Sequence, residues 1–507
     1  MKKYMLDVTS QTIPFEHYWE LCVGSCHGTT ALREDYRRQM TQISHDCGFR
    51  YVRFHGLLND DMSVLTSNRG PMRMENNGEP YSLSFTNTDS IIDFLLSINM
   101  KPFLELGFMP EVLTNGKTRV FHYQAHTSPP DDWKAWGWLV EQFTAHCVQR
   151  YGLDEVRQWF FEIWNEPNLG GPDREMGFWG GTQEEYFKLY EYAARAVKRV
   201  DPRLKVGGPS TACNAWVPEM IEFCSTHDVP LDFISTHHYP VDVAIETLRS
   251  MRQKGTSDQE FVKQLDSTTE MWKYIPRGIL TEQAKKVRAE AGALSVYYTE
   301  WGSNANKYSD GPFGAAFEAK TIMDNYGLVQ GYSRWTFSDL FEEGGMPHTP
   351  FHGGFGMQTI HGVPKASYRA YQLMHKLGNV RYTAQLADGT VDGYAFRKDA
   401  SNAVQILLVN HDGLAAPIRE EAVELSLTGL SQVVASTIER VDETHGNAVR
   451  RWHELGDPDY PDAYLVHDLM AASAVRPEAI NVEVSGGTAK LTVTLPPQSV
   501  ALITLYL

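Results

Sequence analysis

Cysteine is scarce in this sequence, and the few cysteines are irregularly spaced. The 507 residues contain 6 cysteines, and no pair of them has the spacing of a zinc ribbon. Cys22 and Cys26 are close together, but they fall in a segment that reads as a strand and its turn, where buried thiols are the ordinary interpretation. The distribution argues against a metal or redox site and favours a reducing compartment.

Positive charge and long apolar runs are also lacking. Lys and Arg number 46 against 63 Asp and Glu, which gives a formal net charge of -17. This surplus of negative charge disfavours nucleic acid and anionic membranes as partners and favours a neutral substrate. No apolar segment of about 18 residues is present to cross a membrane, and residues 1–20 lack the apolar core of a secretory signal. We therefore predict a cytoplasmic protein.

What the chain does contain is enough apolar material for a large core, 42% hydrophobic and 12% aromatic residues. Short β-branched and aromatic runs alternate with helix-like stretches through the first two thirds of the chain. The predicted strands are 20–25, 51–56, 101–107, 160–166, 205–209, 232–239, 295–301 and 332–339. Eight strand–helix repeats predict a closed (β/α)₈ barrel over residues 14–375, with any active site at the carboxyl ends of its strands.

The pattern changes after the predicted barrel. Residues 376–507 contain short alternating segments separated by Gly, Pro and Asn-Asp turns, with little helix between them. Such alternation predicts an antiparallel β-sandwich. Residues 1–13 precede the first barrel strand and are expected to add a strand to that sandwich.

Polar residues collect where the predicted barrel strands end. They are His55, Glu105, Asn165, Glu166, His237, Tyr239, Glu300 and Trp335. Glu166 and Glu300 end the fourth and seventh strands, which places two carboxyl groups across the barrel mouth from one another. Hydrolysis of a glycosidic bond needs such a pair, one acid to protonate the leaving oxygen and one carboxylate to attack or to activate water.

The remaining strand-end candidates carry weaker signals. A lone glutamate at a strand end is usually a helix cap or half of a surface ion pair, which is the interpretation we give Glu105. Glu162 shares a strand face with Glu166 and is expected to be a buried structural partner. Asn165 and Glu166 should face opposite ways, so both can reach one ligand only if the strand end twists or bulges. His237 and His238 also face opposite ways, which argues against a metal site.

Two longer stretches carry a resemblance to a known family. "WFFEIWNEPN" (159–168) resembles the acid/base motif of glycoside hydrolase family 39, and "WTFSDLFEEGGMPHTPFHGGFGM" (335–357) resembles the β-xylosidases of that family. Similar stretches cover most of residues 15–375 in matching order and spacing. The resemblance implies a retaining exo-glycosidase that releases xylose from the non-reducing ends of β-1,4-xylo-oligosaccharides without a cofactor or a metal ion. It also makes a homo-oligomer plausible.

The resemblance further implies roles for individual residues. Glu166 matches the acid/base, Glu300 the nucleophile and Asn165 the residue that holds the sugar 2-hydroxyl, with the two carboxyl groups about 5–5.5 Å apart. Further residues match the sugar-binding positions: His55, His237, Tyr239, Trp335, Glu342 and Glu343. Trp335 would form the floor of the sugar subsite by ring stacking.

Two alternatives stay open at this point. Thr236 and His238 depart from the residues usual beside the family's histidine, and a reshaped pocket would favour an α-L-arabinopyranosidase or another pyranosidase. An iduronic acid hydrolase would need a basic pocket, and the strand ends offer no obvious Arg or Lys. From a different class, the chain could be a catalytically inactive sugar-binding protein, although both carboxylates are present.

Overall fold

The first two thirds of the chain form a closed barrel of eight parallel strands. The computed structural model describes residues 1–67, 81–242 and 271–507. The barrel strands are Cys22–His27, Tyr51–His55, Lys101–Leu106, Phe160–Ile163, Lys205–Thr211, Phe233–His238, Ser295–Trp301 and Gly331–Arg334. Each predicted strand corresponds to one of these, so the barrel predicted from the sequence is confirmed.

Helices surround the barrel and cover its outer face. In the barrel portion, the α-helices of the described residues are Glu34–Cys47, Thr86–Ser97, Trp133–Tyr151, Leu153–Val156, Gln183–Val200, Val217–Thr226, Ile279–Ala291, Pro312–Asp324 and Ala366–His375. Short 3₁₀ helices lie at Tyr18–Glu20, Gly28–Leu32, Asp60–Met62, Glu111–Leu113, Ala212–Asn214, Trp272–Tyr274 and Asp399–Ser401.

The helix Gln183–Val200 begins at a capping box, because Thr182 accepts from the Glu185 N–H at 3.2 Å and Glu185 accepts from the Thr182 N–H at 2.9 Å. No helix among the described residues has both the length and the apolarity needed to cross a membrane.

Side chains that point into the barrel form layers along its axis. At the amino ends of the strands, four rings fill the interior: Phe103, Phe160, Phe233 and Tyr297. The Phe103 and Phe160 rings stack with centroids 4.6 Å apart. Glu105 and Glu162 follow Phe103 and Phe160 by two positions and face the same interior. Arg53 is buried beside these two glutamates. The aromatic layer closes one end of the barrel and leaves the polar layer next to the open mouth.

Two β-sheets form the rest of the chain. The smaller sheet contains Lys2–Asp7, Glu421–Thr428, Thr488–Leu495 and Glu483–Ser485, in that order. The larger contains Thr12–Pro14, Val380–Tyr382, Val391–Lys398, Ala403–Asn410, Ser499–Tyr506, Ala435–Val441 and Glu478–Ala479, with Leu386–Asp388 beside Val391–Lys398. The pairing is antiparallel except where Lys2–Asp7 runs parallel to Glu421–Thr428. Two small hairpins lie in the barrel portion: Leu65–Ser67 with Tyr81–Leu83, and Arg119–Val120 with Ala125–His126.

The larger sheet joins the two parts of the molecule. Ile406 and Ile503 pack between the two sheets, whereas their strand neighbours Leu407 and Leu502 belong to the hydrophobic core of the barrel. This alternation shows that both faces of the central strands are buried. The prediction of little helix in this part is wrong at two places, Val449–Glu454 and Ala463–Ala472, which pack in a separate small core with Phe351.

The aromatic layer should contribute strongly to stability. Phe160→Ala would remove a ring that contacts four others and leave a cavity, and we expect the free energy of unfolding to fall by about 3–5 kcal/mol. Tyr464→Ala is the control, because that side chain is exposed and its loss should change stability by less than about 0.5 kcal/mol. Urea unfolding of both variants measures this, and equal midpoints would contradict the role of the layer.

Candidate active site

The chain turns sharply after the fourth barrel strand, which ends at Ile163. Trp164 and Glu166 have positive φ angles of 75° and 45°, an uncommon conformation for residues other than glycine. The turn is held by the N–H of Trp164, which donates to the Leu106 carbonyl at 3.1 Å, and by that of Glu166, which donates to the Ser210 carbonyl at 2.8 Å. The strand end therefore twists as expected.

This twist brings both side chains into the same cluster. Asn165 Oδ1 accepts a hydrogen bond from Arg53 Nη2 at 2.8 Å, and Glu166 Oε1 lies 3.0 Å from His237 Nδ1. Trp164, which precedes them, points elsewhere, because its Nε1 donates to the Phe178 carbonyl at 2.7 Å.

Glu166 and Glu300 approach each other across one imidazole. His237 Nδ1 lies 3.0 Å from Glu166 Oε1 and 3.7 Å from Glu300 Oε2. One atom from each of the three residues lies within 4.8 Å of the others. Such a distance suits a retaining glycosidase, in which the carboxyl groups are about 5–5.5 Å apart, and is shorter than the 6.5–9.5 Å of inverting enzymes.

A fully buried arginine occupies the centre of the polar layer. Arg53 Nε donates to Glu162 at 2.5 Å, Nη1 to Glu300 at 2.8 Å, and Nη2 lies 2.9 Å from Glu105. With the bond to Asn165, one guanidinium contacts four side chains on three other strands or strand ends. Its planar set of five donors permits this, whereas a lysine ammonium could not reach the same partners in one plane.

The two facing glutamates have unequal surroundings. Burial and the nearby Glu300 carboxylate raise the pKa of Glu166 well above its ordinary value. Burial also raises the pKa of Glu300, but Arg53 and His55 oppose that rise. Tyr239 adds a donor, with its hydroxyl 3.3 Å from Glu300 Oε2. The site therefore favours a protonated Glu166 beside an ionised Glu300, the division that an acid and a nucleophile require.

His237 is suited to bridge the pair as a neutral ring. Its burial and the nearby Arg53 hold the pKa of His237 well below its ordinary value. A neutral imidazole adds no second positive charge beside Glu300, and its Nδ1 is available to either carboxyl group.

The other predicted sugar-binding residues lie around this pair, with one exception. His55 Nε2 is 3.6 Å from Glu300 and 3.5 Å from Glu343. The Trp335 ring lies against His55 with centroids 4.5 Å apart. Glu342 turns away instead, and its Oε2 lies 3.7 Å from His27 Nδ1.

The position of Trp335 depends on a glycine of the first barrel strand. A Cβ atom at Gly24 would lie 2.5 Å from Trp335 Cε3, closer than carbon atoms can pack. Only glycine at this position leaves room for the indole at the barrel mouth.

Two expectations about charged residues are wrong. Glu105 is not at the surface, because it is 1% exposed and its Oε2 lies 2.7 Å from His55 Nδ1. The site also contains a basic residue, Arg53, which lies two positions before the strand end at His55, although its donors are already engaged by the protein's own carboxylates. The signal for Arg53 was present in the alternation of its strand, since Arg53 precedes His55 by two positions and shares its face.

The two residues that depart from the pattern usual beside the family's histidine have partners of their own. The His238 ring stacks on Tyr298 with centroids 3.6 Å apart, and Thr236 Oγ1 donates to the Thr211 carbonyl at 2.9 Å. His238 thus faces the opposite way from His237, as predicted. Neither departure contacts Glu166 or Glu300.

Three clusters of the described residues have donor atoms close enough to hold a metal ion. They are Glu166 with His237 and Glu300, His17 with Glu20 and His375, and Asp60 with Glu111 and His126. In the first, Glu300 is bonded to Arg53, whose positive charge opposes the entry of a cation. In the second, both imidazoles lie within hydrogen-bonding distance of a single Glu20 oxygen, at 2.7 and 2.8 Å. Ion pairing of the two histidines with Glu20 accounts for this cluster.

Comparisons with known proteins agree on one family. The chain matches the family model of Glycosyl hydrolases family 39 over residues 2–488. It is 44% identical over 495 residues to a beta-xylosidase of Caldicellulosiruptor saccharolyticus, covering 96% of this chain and 95% of that protein. A beta-xylosidase of Geobacillus stearothermophilus is 32% identical over 505 residues, 96% and 92% of the two chains. The crystal structure of a monomeric beta-xylosidase from Caulobacter crescentus CB15 superimposes with a TM-score of 0.82 at 29% identity, over 100% of this chain and 99% of that one.

The arginine at the centre of the site should be essential for stability at neutral pH. Arg53→Met would leave buried carboxylates without a cation, and we expect a loss of about 3–5 kcal/mol in the free energy of unfolding at pH 7. Because the pKa values of these carboxyl groups would then rise on folding, the loss should shrink as the pH falls towards 5.

Urea unfolding at several pH values tests this. Arg50→Met, at an exposed position of the same segment, is the control and should have little effect. An Arg53→Met loss that stays constant with pH, or grows as the pH falls, would contradict the electrostatic account.

Proposed function

The chain belongs to glycosyl hydrolases family 39, and from this membership we propose that it is a retaining β-xylosidase. Its substrates are short β-1,4-xylo-oligosaccharides, from which it removes xylose at the non-reducing end. The observation that carries the proposal is the pair Glu166 and Glu300, two carboxyl groups with unequal surroundings whose oxygens lie within 4.8 Å of a shared His237 nitrogen. The two β-xylosidases similar over nearly the whole chain support the choice of sugar.

In the first step Glu166 acts as an acid and Glu300 as a nucleophile. Glu166 gives its proton to the glycosidic oxygen while Glu300 attacks the anomeric carbon from the opposite side. The aglycone leaves, and xylose remains joined to Glu300 as an ester. Arg53 and Tyr239 stabilise the ionised Glu300 before the attack, and the raised pKa of Glu166 keeps its proton available near neutral pH.

The second step releases the sugar with the same two residues. Glu166, now ionised, takes a proton from water as the water attacks the anomeric carbon and displaces Glu300. Two inversions give net retention of the β configuration. Both residues return to their starting protonation states, and water is the only further reactant.

The remaining residues hold the sugar ring for these steps. In this proposal Asn165, which accepts a hydrogen bond from Arg53, bonds the 2-hydroxyl of the sugar. Trp335 offers an indole face, and Glu343 with His55 offers acceptors and donors for further hydroxyls. Because Glu105 fixes His55 Nδ1 at 2.7 Å, the Nε2 side of that ring is left to face the sugar.

A panel of p-nitrophenyl glycosides tests the proposal. We expect wild-type kcat/KM to be highest for the β-D-xylopyranoside, lower for the α-L-arabinopyranoside and lowest for the β-D-glucopyranoside. Glu300→Gln should lower kcat by at least about 1,000-fold, since no nucleophile remains. Glu166→Ala should slow substrates with poor leaving groups far more than nitrophenyl ones, because only the former depend on the acid.

Glu222→Gln, at an exposed position, is the control for both variants and should keep wild-type rates. A preference for the arabinoside would keep the mechanism and change the sugar. Binding of the glycosides without turnover by the wild type would instead indicate a sugar-binding protein.

A further inference from the structure

A buried lysine lies at an unusual place, the start of the helix Ala366–His375. Lys365 is the N-cap residue of that helix and is 0% exposed. Asp, Asn, Ser and Thr are preferred there, and a cation is disfavoured by the positive end of the helix dipole. Burying an ammonium group adds a further cost. A residue that breaks these local rules is expected to have a compensating partner elsewhere.

Two aspartates provide that compensation. Lys365 Nζ lies 2.5 Å from Asp310 Oδ1 and 2.6 Å from Asp339 Oδ2. Both carboxylates are buried, at 2% and 0% exposure. Within residues 1–67, 81–242 and 271–507, Lys365 is the one cation within ion-pair distance of both.

The aspartates lie in two different loops of the proposed active site. Asp310 ends the loop that follows the seventh barrel strand, Ser295–Trp301, which carries Glu300. Asp339 follows the eighth strand, between Trp335 and Glu343 in sequence. Lys365 therefore joins the loop of the proposed nucleophile to the loop of the proposed sugar-binding wall.

The same carboxylates hold a third segment with their other oxygens. Asp310 Oδ2 accepts from the Gly353 N–H at 2.7 Å, and Asp339 Oδ1 accepts from the Gly356 N–H at 2.8 Å. Residues 355–358 run beside residues 336–339, with the Met357 N–H donating to the Thr336 carbonyl at 2.9 Å. Trp335 directly precedes Thr336 in the chain. A displacement of Asp339 would therefore also displace the Trp335 indole.

We propose that Lys365 is a positioning residue that fixes the separation between Glu300 and the sugar-binding wall formed by Trp335 and Glu343. The role rests on the proposed function, since it concerns the fit of the sugar in that site. Without the ammonium group, Asp310 and Asp339 would be two buried carboxylates with no cation between them, and their repulsion would push the two loops apart. The sugar would then meet a wall displaced from the nucleophile.

Lys365→Met tests the proposal, with Lys376→Met as the control. Lys376 lies just beyond the other end of the same helix, partly exposed, and pairs with Glu439 at 2.6 Å. We expect Lys365→Met to raise both KM for p-nitrophenyl β-D-xylopyranoside and the inhibition constant of xylose about tenfold or more. Both should change because Trp335 and Glu343 hold the sugar before the reaction, and kcat should also fall, because the sugar would lie displaced from Glu300.

A merely structural role predicts a different pattern. It would lower the melting temperature and leave KM and the xylose inhibition constant within twofold of wild type well below that temperature, which would overturn the proposal. If Lys365→Met does not fold, KM is measured for Asp310→Asn instead. That variant keeps the balanced pair of Lys365 with Asp339 and should raise KM about threefold, whereas an unchanged KM would again overturn the proposal.

A crystal structure of the folded variant gives a readout that does not depend on activity. The proposal requires Trp335 and Glu343 to move relative to Glu300 by about 1 Å or more, a displacement large enough to impair a reaction. If Trp335 and Glu343 keep their wild-type positions relative to Glu300 in the variant, the proposal is contradicted. Wild-type turnover is measured first, so a lack of xyloside hydrolysis counts against the proposed function, while the structural comparison still tests the role of Lys365.

Discussion

The site depends on one buried guanidinium. Arg53 contacts Glu105, Glu162, Asn165 and Glu300 from the centre of the barrel, and two of these partners contact further side chains. Glu105 fixes the ring of His55, and Glu162 accepts a hydrogen bond from Thr299 at 2.7 Å. A buried cation with several buried carboxylates is costly unless every donor is used, so the geometry around Arg53 leaves little freedom. We expect this requirement to restrict how the residues of the proposed active site can pack.

That balance also separates the roles of two chemically identical residues. Arg53 donates to Glu300 but not to Glu166, which bonds a neutral His237 instead. Burial therefore raises the pKa of Glu166 with little opposition, while the guanidinium favours the ionised form of Glu300. The proposed acid and the proposed nucleophile are distinguished by which of them contacts the cation.

Sequence patterns predicted the barrel because its strands are short, apolar and regularly spaced. They also placed Glu166 and Glu300 at facing strand ends. They did not reveal the partners of Arg53, since these come from strands far apart in sequence and the pairing depends on the closure of the barrel. Glu105 was misjudged for the same reason: a strand-end glutamate reads as a surface residue until a buried cation is known to lie beside it.

The C-terminal helices and the environment of His238 show a second limit. Val449–Glu454 and Ala463–Ala472 are short and interrupt a region of alternating strands, so their helical period spans too few turns to stand out. His238 could be assigned to the face opposite His237 by alternation, but only the fold shows that Tyr298 occupies that side. Local sequence patterns predict the face on which a side chain lies more readily than the residues that it contacts on that face.

The central claim is that Glu300, held by Arg53, forms a covalent bond to the sugar. Mass spectrometry after reaction with a 2-deoxy-2-fluoro-xyloside bearing a good leaving group tests it directly, because the fluorine slows hydrolysis of the ester and allows it to accumulate. The account predicts one fluoroxylosyl group per chain, on the peptide that contains Glu300. A label on Glu166 or another residue, or turnover of natural substrates with inversion and no label, would contradict it.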